Sequence, residues 1–214
     1  MSNTAEKPLS LAIRQRRTTP SFSPEPIPEF DLREILEAGL AAPSGYNTQP
    51  WRYVVVRDPE IRAQLKTAAM GQPRVGEAPV VIVACGDATT LKDKDLDEML
   101  QLAKDHGFGT DQQHEAVRRN FPSFLATLEI AVWLNRQVAI SLTHMMLMAE
   151  VLGYDTAMME GFHEDEVKKV LGIPPSAHVV MMMCVGKLRG PDKPFGGRFD
   201  ITRTVFWDKW GEGL

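Results

Sequence analysis

A chain of 214 residues, 43% hydrophobic and 24% charged, is long enough for one sizeable core and reads as a single domain over residues 1–214. Its net charge of -4, with a pI near 5.8, provides no global basic field, so nucleic acid is excluded as an expected partner and any anionic ligand needs a local cation cluster. No stretch of about 18 consecutive apolar residues occurs and the polar start lacks a secretory signal, so no membrane span is expected and the cytoplasm is the expected compartment.

In chain order, residues 8–17 carry Leu9, Leu11, Ala12 and Ile13 before a basic end, which predicts a short helix whose cations complement its dipole. Four prolines in residues 20–28 make an irregular connector, and Pro28 is placed to open a second helix running through Ile35, Leu36 and Leu40 to Ala42-Pro43. Trp51 to Val56 is a β-branched strand closed by Arg57-Asp58-Pro59, and residues 60–70 return to helical spacing. Residues 80–84, all small or branched, predict a strand covered on both faces. The charged stretch at 92–124 reads as an exposed, partly helical excursion, a candidate lid. An apolar helix at 131–152 stops at Gly153; a strand at 156–160, a helix at 164–171 ended by Gly172, and a strand at 178–185 follow. The tail at 190–214 holds Phe195, Phe199, Phe206, Trp207 and Trp210 without periodicity and must pack on its own body or on a partner. This mixed order of helices and strands predicts an α+β fold.

Cys85 and Cys184 each end an apolar run and read as reduced core residues. The five histidines form no metal-ligand spacing, and His144 on the apolar helix reads as a hydrogen-bonded core histidine. There is no GxSxG elbow, GxGxxG turn or Walker loop.

Four short features are candidates for chemistry. Arg16-Arg17-Thr18-Thr19 sets two guanidinium forks beside two hydroxyls, which suits a phosphate; a solvated basic helix end is the alternative. Pro43-Ser44-Gly45-Tyr46-Asn47-Thr48-Gln49-Pro50-Trp51 concentrates hydroxyls and two primary amides that match a heterocycle edge, or forms a polar connector. Met158-Met159-Glu160-Gly161-Phe162 places a glycine where a backbone N–H could approach a ligand, or makes a simple turn. Gly196-Gly197-Arg198-Phe199 offers a late isolated cation.

Taken together and in this order, from about Leu9 to Phe199, these features resemble the nitroreductase family. The resemblance implies an α+β sandwich with a central, mostly antiparallel sheet flanked by helices, in an intertwined homodimer whose two FMN molecules touch both protomers. It implies that Arg16, Arg17, Thr18 and Arg198 serve the FMN phosphate. Pro43, Ser44, Asn47 and Gln49 would reach the cofactor from the other subunit, and the Met159, Glu160 and Gly161 turn would lie near the reactive ring edge. The residues 131–152 helix would form the dimer core, and the tail would wrap around the partner. The implied activity is ping-pong transfer of two electrons from NADH or NADPH through FMN to a small acceptor such as a nitroaromatic or quinone. Reductive dehalogenation, flavin fragmentation and non-catalytic FMN binding are the other readings. Two positions depart from the pattern: Pro20 and the Gly196-Gly197 pair stand where cations are common, which predicts a lower reduction potential.

Overall fold

A computed structural model describes residues 7–213. Helix α1 (Leu9–Gln15) stops two residues before the expected basic end. Arg17 then folds back, and its Nη1 donates to the carbonyl oxygens of Arg14, Gln15 and Arg16 at 2.9–3.0 Å. These carbonyls belong to the helix end, where backbone acceptors lack partners. In α2 (Glu29–Leu40), Pro28 is the capping residue rather than the first helical one. Strand β1 (Trp51–Val56) leads to α3 (Pro59–Ala68), whose start is secured by Asp58 accepting the Glu60 and Ile61 amides.

A five-residue helix, α4 (Pro73–Glu77), precedes β2 (Val80–Asp87), which is buried along nearly its whole length as expected of a strand covered on both faces. The charged excursion, expected to be exposed and partly helical, forms two helices, α5 (Asp93–Asp105) and α6 (Asp111–Leu125), joined by a short loop. Thr110 and Gln113 make a capping box at the start of α6. The hairpin buries Leu96, Leu100 and Phe121 against Leu91, Trp133 and Leu134, so it has an apolar core of its own.

Helix α7 (Ile130–Val151) ends at Leu152, with Gly153 in the left-handed region beyond it. Strand β3 (Asp155–Met159), helix α8 (Glu164–Leu171, ended by left-handed Gly172) and strand β4 (Ala177–Gly186) complete the regular elements. The sheet order is β1-β2-β4-β3 and every pairing is antiparallel. The α+β class therefore holds.

Alternation along β2 and β4 divides the interior into two layers. Val81, Val83, Cys85, Met182 and Cys184 face α3, α4 and α8, whereas Val80, Ile82, Ala84, Met183 and Val185 face α2 and α7. Burying each such aliphatic side chain stabilises the fold by about 1.5–3 kcal/mol. Both cysteines are free and buried, as expected. Burial pushes the Cys85 thiol up to about 11 and the Cys184 thiol up to about 12, so neither is a ready nucleophile. Among the described residues, β1 has β2 on one side and no strand on the other. The tail beyond residue 190 is exposed, with Trp210 at 92%.

Candidate functional site

The loop between α2 and β1 is built tightly. Ser44 Oγ accepts the Gln49 amide at 3.0 Å, and Thr48 Oγ1 donates to the Gly45 carbonyl at 2.9 Å. From α7, the buried Gln137 accepts the Gly45 amide at 2.8 Å. A side chain at position 45 would sit 2.9 Å from Trp133 Cζ2, so glycine is required there by contact rather than by conformation. Tyr46, Asn47 and Gln49 all have positive φ, at 55°, 58° and 45°. Each such non-glycine residue costs about 1–2 kcal/mol, and such strain persists only where the surroundings over-determine it. The exposed Asn47 side chain and the half-buried Ser44 and Gln49 are thus held in place, beside the exposed Pro43. Tyr46 meets Phe121 and Phe124 of α6 at ring distances of 5.0 and 5.2 Å.

A second group gathers at the opposite edge of the sheet. Thr18 bridges to Thr156 of β3, and the Thr19 amide donates to the Thr156 carbonyl at 3.0 Å. The Thr156 hydroxyl is buried there with no hydrogen-bond partner. Phe195 brings the two sequence-distant arginines together, with Arg17 Cζ 4.1 Å and Arg198 Cζ 5.4 Å from its ring centre. Arg16 is half-buried beside them, and no intramolecular hydrogen bond engages its side chain among the described residues. At the other end of β3, Met159 is buried and the chain turns through Glu160 and Gly161. Gln72 Nε2 donates to the Gly161 carbonyl at 2.8 Å, and a side chain at 161 would meet that atom at 3.1 Å. The Glu160 and Gly161 amides have no intramolecular acceptor among the described residues.

The two groups do not meet within one protomer. The loop at 43–50 adjoins β1, while residues 16–19 and 159–161 adjoin β3, three strand spacings away, or about 14 Å.

Several contributors carry little sequence signal. Gln137 is visible only as a polar break in an apolar helix, and Gln72, Trp133 and Phe195 give none that separates them from ordinary structural residues. The expectation for His144 is corrected: it is half-buried with no hydrogen bond among the described residues, because it lies on the outer side of α7. The buried, hydrogen-bonded histidine is His114 of α6. No group of three or more metal-ligating side chains exists among the described residues, nor is any helix long and apolar enough to cross a membrane.

The donor set therefore consists of arginines, strained-loop amides and open backbone N–H groups, with no positioned side-chain acid, base or nucleophile. It suits a phosphate-bearing heterocycle better than a self-contained catalytic triad. Comparison with known proteins points the same way. Residues 13–187 match the model of the nitroreductase family. A Thermus thermophilus protein named NADH dehydrogenase is 37% identical over 198 residues, 92% of this chain and 94% of that protein. A Bacillus subtilis protein named as an NAD(P)H nitroreductase is 32% identical over 202 residues, 90% of this chain and 95% of that one. Among solved structures, a Bacillus subtilis nitroreductase superposes with a TM-score of 0.83 at 29% identity, covering 92% of this chain and 97% of that chain. An Exiguobacterium sibiricum protein solved in complex with FMN has a TM-score of 0.79 at 24% identity, covering 95% and 99%.

Proposed function

Because this chain belongs to the nitroreductase family, we propose that it works as a homodimeric, FMN-dependent NAD(P)H oxidoreductase acting on nitroaromatics, quinones or similar electron-poor molecules. The observation that carries this reading is the division of the site between opposite sheet edges. One edge offers a paired-arginine anchor and the other a preorganised amide loop, and in this reading a second copy brings its loop to the anchor.

In this reading Arg16 and Arg198 hold the FMN phosphate. Arg17, committed to the end of α1, adds fixed positive charge, and Thr18 sits between that anchor and β3. Four residue rises of β3 span about 13 Å and carry the site from the anchor to the Met159, Glu160 and Gly161 turn. There the two open amides are the donors for the ring edge, and Gln72 keeps the turn in position. Pro43, Ser44, Asn47 and Gln49 of the second copy contact the ring from the other side. When bound, FMN would supply the two-electron redox chemistry that links NADH or NADPH to the acceptor, with a ping-pong order expected.

The α5–α6 hairpin, with Phe108, Phe121 and Phe124, excludes water and selects the acceptor. Helix α7 forms the dimer core, the exposed tail embraces the partner, and the protein works in the cytoplasm.

The test is a visible spectrum of the purified protein before and after anaerobic NADH or NADPH. Bands at about 370 and 450 nm that bleach on reduction are expected. A colourless protein that does not take up added FMN would refute the proposal.

A further inference from the structure

We propose that Gln137 is a positioning residue for flavin binding: from the buried face of α7 it holds the strained Ser44–Gln49 loop in the conformation that meets the flavin ring. This assignment rests on the flavin-enzyme reading and deepens it, since it says what keeps the ring-contacting amides in place.

Gln137 and Ser141 are buried polar side chains on an otherwise apolar helix. They stand one turn apart in a ridge that starts at Trp133 and ends at Met145, each residue four after the last. That ridge runs along the chain segment carrying the loop. Met145 packs so close to Gly39 that a side chain at 39 would collide with it. Ser141 Oγ donates to the Gly39 carbonyl at 2.6 Å and accepts the Tyr53 hydroxyl at 2.5 Å, which fastens the chain before and after the loop. Gln137 Oε1 accepts the Gly45 amide at 2.8 Å, and Trp133 closes over the same glycine.

Between Pro43 and Thr48, Gln137 makes the sole hydrogen bond from outside the loop among the described residues. The others are internal: Ser44 Oγ accepts the Gln49 amide, and the Ser44 and Gly45 carbonyls accept the Asn47 and Thr48 amides. Internal bonds travel with the loop, so the Gln137 bond is its polar tie to the body. The glycine it holds directly precedes Tyr46 and Asn47, both at positive φ, a state that persists only where the surroundings enforce it. With the tie cut, these two residues relax toward negative φ and the Asn47 side chain leaves its place. The arginine anchor lies at the opposite sheet edge, so the loss falls on the ring and spares the phosphate.

The test reads FMN dissociation from the flavin fluorescence released on dilution of the full-length protein, with inorganic phosphate titrated as a competitor. In Gln137→Leu the FMN dissociation constant should rise about tenfold while the competing phosphate binds as before. Gln137→Glu keeps an oxygen acceptor at the same reach and should regain most of the loss. Asn47→Gly removes the side-chain amide and suits the positive φ. Adding Gln137→Leu to it should weaken FMN less than Gln137→Leu does alone, because both remove the same contact. Gln137→Asn, too short to reach the Gly45 amide, gives the same reading if the leucine variant does not fold. FMN bound as tightly by Gln137→Leu, a parallel loss of phosphate and FMN, or fully additive losses in the double variant would overturn the assignment and leave the flavin reading standing. An unsubstituted protein that takes up no FMN refutes the flavin reading and this assignment with it.

Discussion

Glu150 offers a stringent electrostatic test of this fold. It lies near the end of α7 with its side chain 5% exposed, and Lys7 Nζ is 3.6 Å from its carboxylate. Burial pushes its pKa from 4.5 up to about 7; Lys7 and Arg16 pull it back, and Asp155 pushes it further up. A carboxyl whose folded pKa exceeds its unfolded value binds more protons when folded. Its stabilising contribution is therefore complete below about pH 4.5 and is lost as pH rises to about 7. A shift of about 2.5 units at 1.36 kcal/mol each makes that loss about 3 kcal/mol.

Glu150→Gln keeps the shape and removes the titration. At pH 8 the variant should be the more stable by up to about 3 kcal/mol, or about 6–12 °C in melting temperature for a chain of this size. Below pH 4.5 the two proteins should converge. Differential scanning fluorimetry of both across pH 4.5–8, at fixed protein and FMN concentration, reads the difference and cancels the titration of other groups. A difference that stays flat across that window, or a Gln variant less stable at pH 8, would refute the argument that burial outweighs the Lys7 attraction.

Two further outcomes are expected. Gly45→Ala should destabilise the protein by about 1–3 kcal/mol in urea titration, because the added carbon meets a packed tryptophan; Gly76→Ala, whose added carbon meets only the flexible Lys66 side chain, should change little. Gly196→Lys, at a position with open space around it, should raise the flavin midpoint potential by about 20 mV, equivalent to about 1 kcal/mol for two electrons. Spectroelectrochemical titration measures that shift, and a fall in potential would contradict the account of the missing cations.

Most of the fold was legible because its elements repeat simple patterns. The β-branched run before Arg57-Asp58-Pro59 is β1, and Asp58 caps α3 with its side chain as the turn residues lead one to expect. Gly153 and Gly172 mark helix ends by adopting the left-handed conformation. Helix α4 is invisible by the same logic, being five residues long with proline and glycine among them. In the α5–α6 hairpin the charged residues mask the apolar pattern. Leu96 and Leu100 nevertheless lie four residues apart, on one face of α5, and meet Phe121 of α6.

The site was legible as a set of motifs, not as an arrangement. Nothing in the order of residues says that Phe195 collects Arg17 and Arg198, or that Gln137 reaches from α7 to fix Gly45. Arg17 and Phe195, and Gly45 and Gln137, are 92 or more residues apart, and no local periodicity encodes such contacts. The exchange of roles between His144 and His114 has the same origin. An apolar helix suggests a buried histidine, but burial is decided by which face the neighbouring helices cover.

The open side of β1 has a practical consequence. Six residues, five of them aromatic or otherwise favourable to strands, present backbone donors and acceptors at a sheet margin that contains no proline or lysine. A sheet margin of that kind templates the addition of any extended chain, including another copy of itself. Dilute, well-covered protein and concentrated, uncovered protein should then differ in colloidal behaviour more than in fold. Shelf life, turbidity and recovery after refolding become measures of how completely that margin is capped, and the exposed Arg52, the one charge on β1, becomes a handle on solubility through its removal.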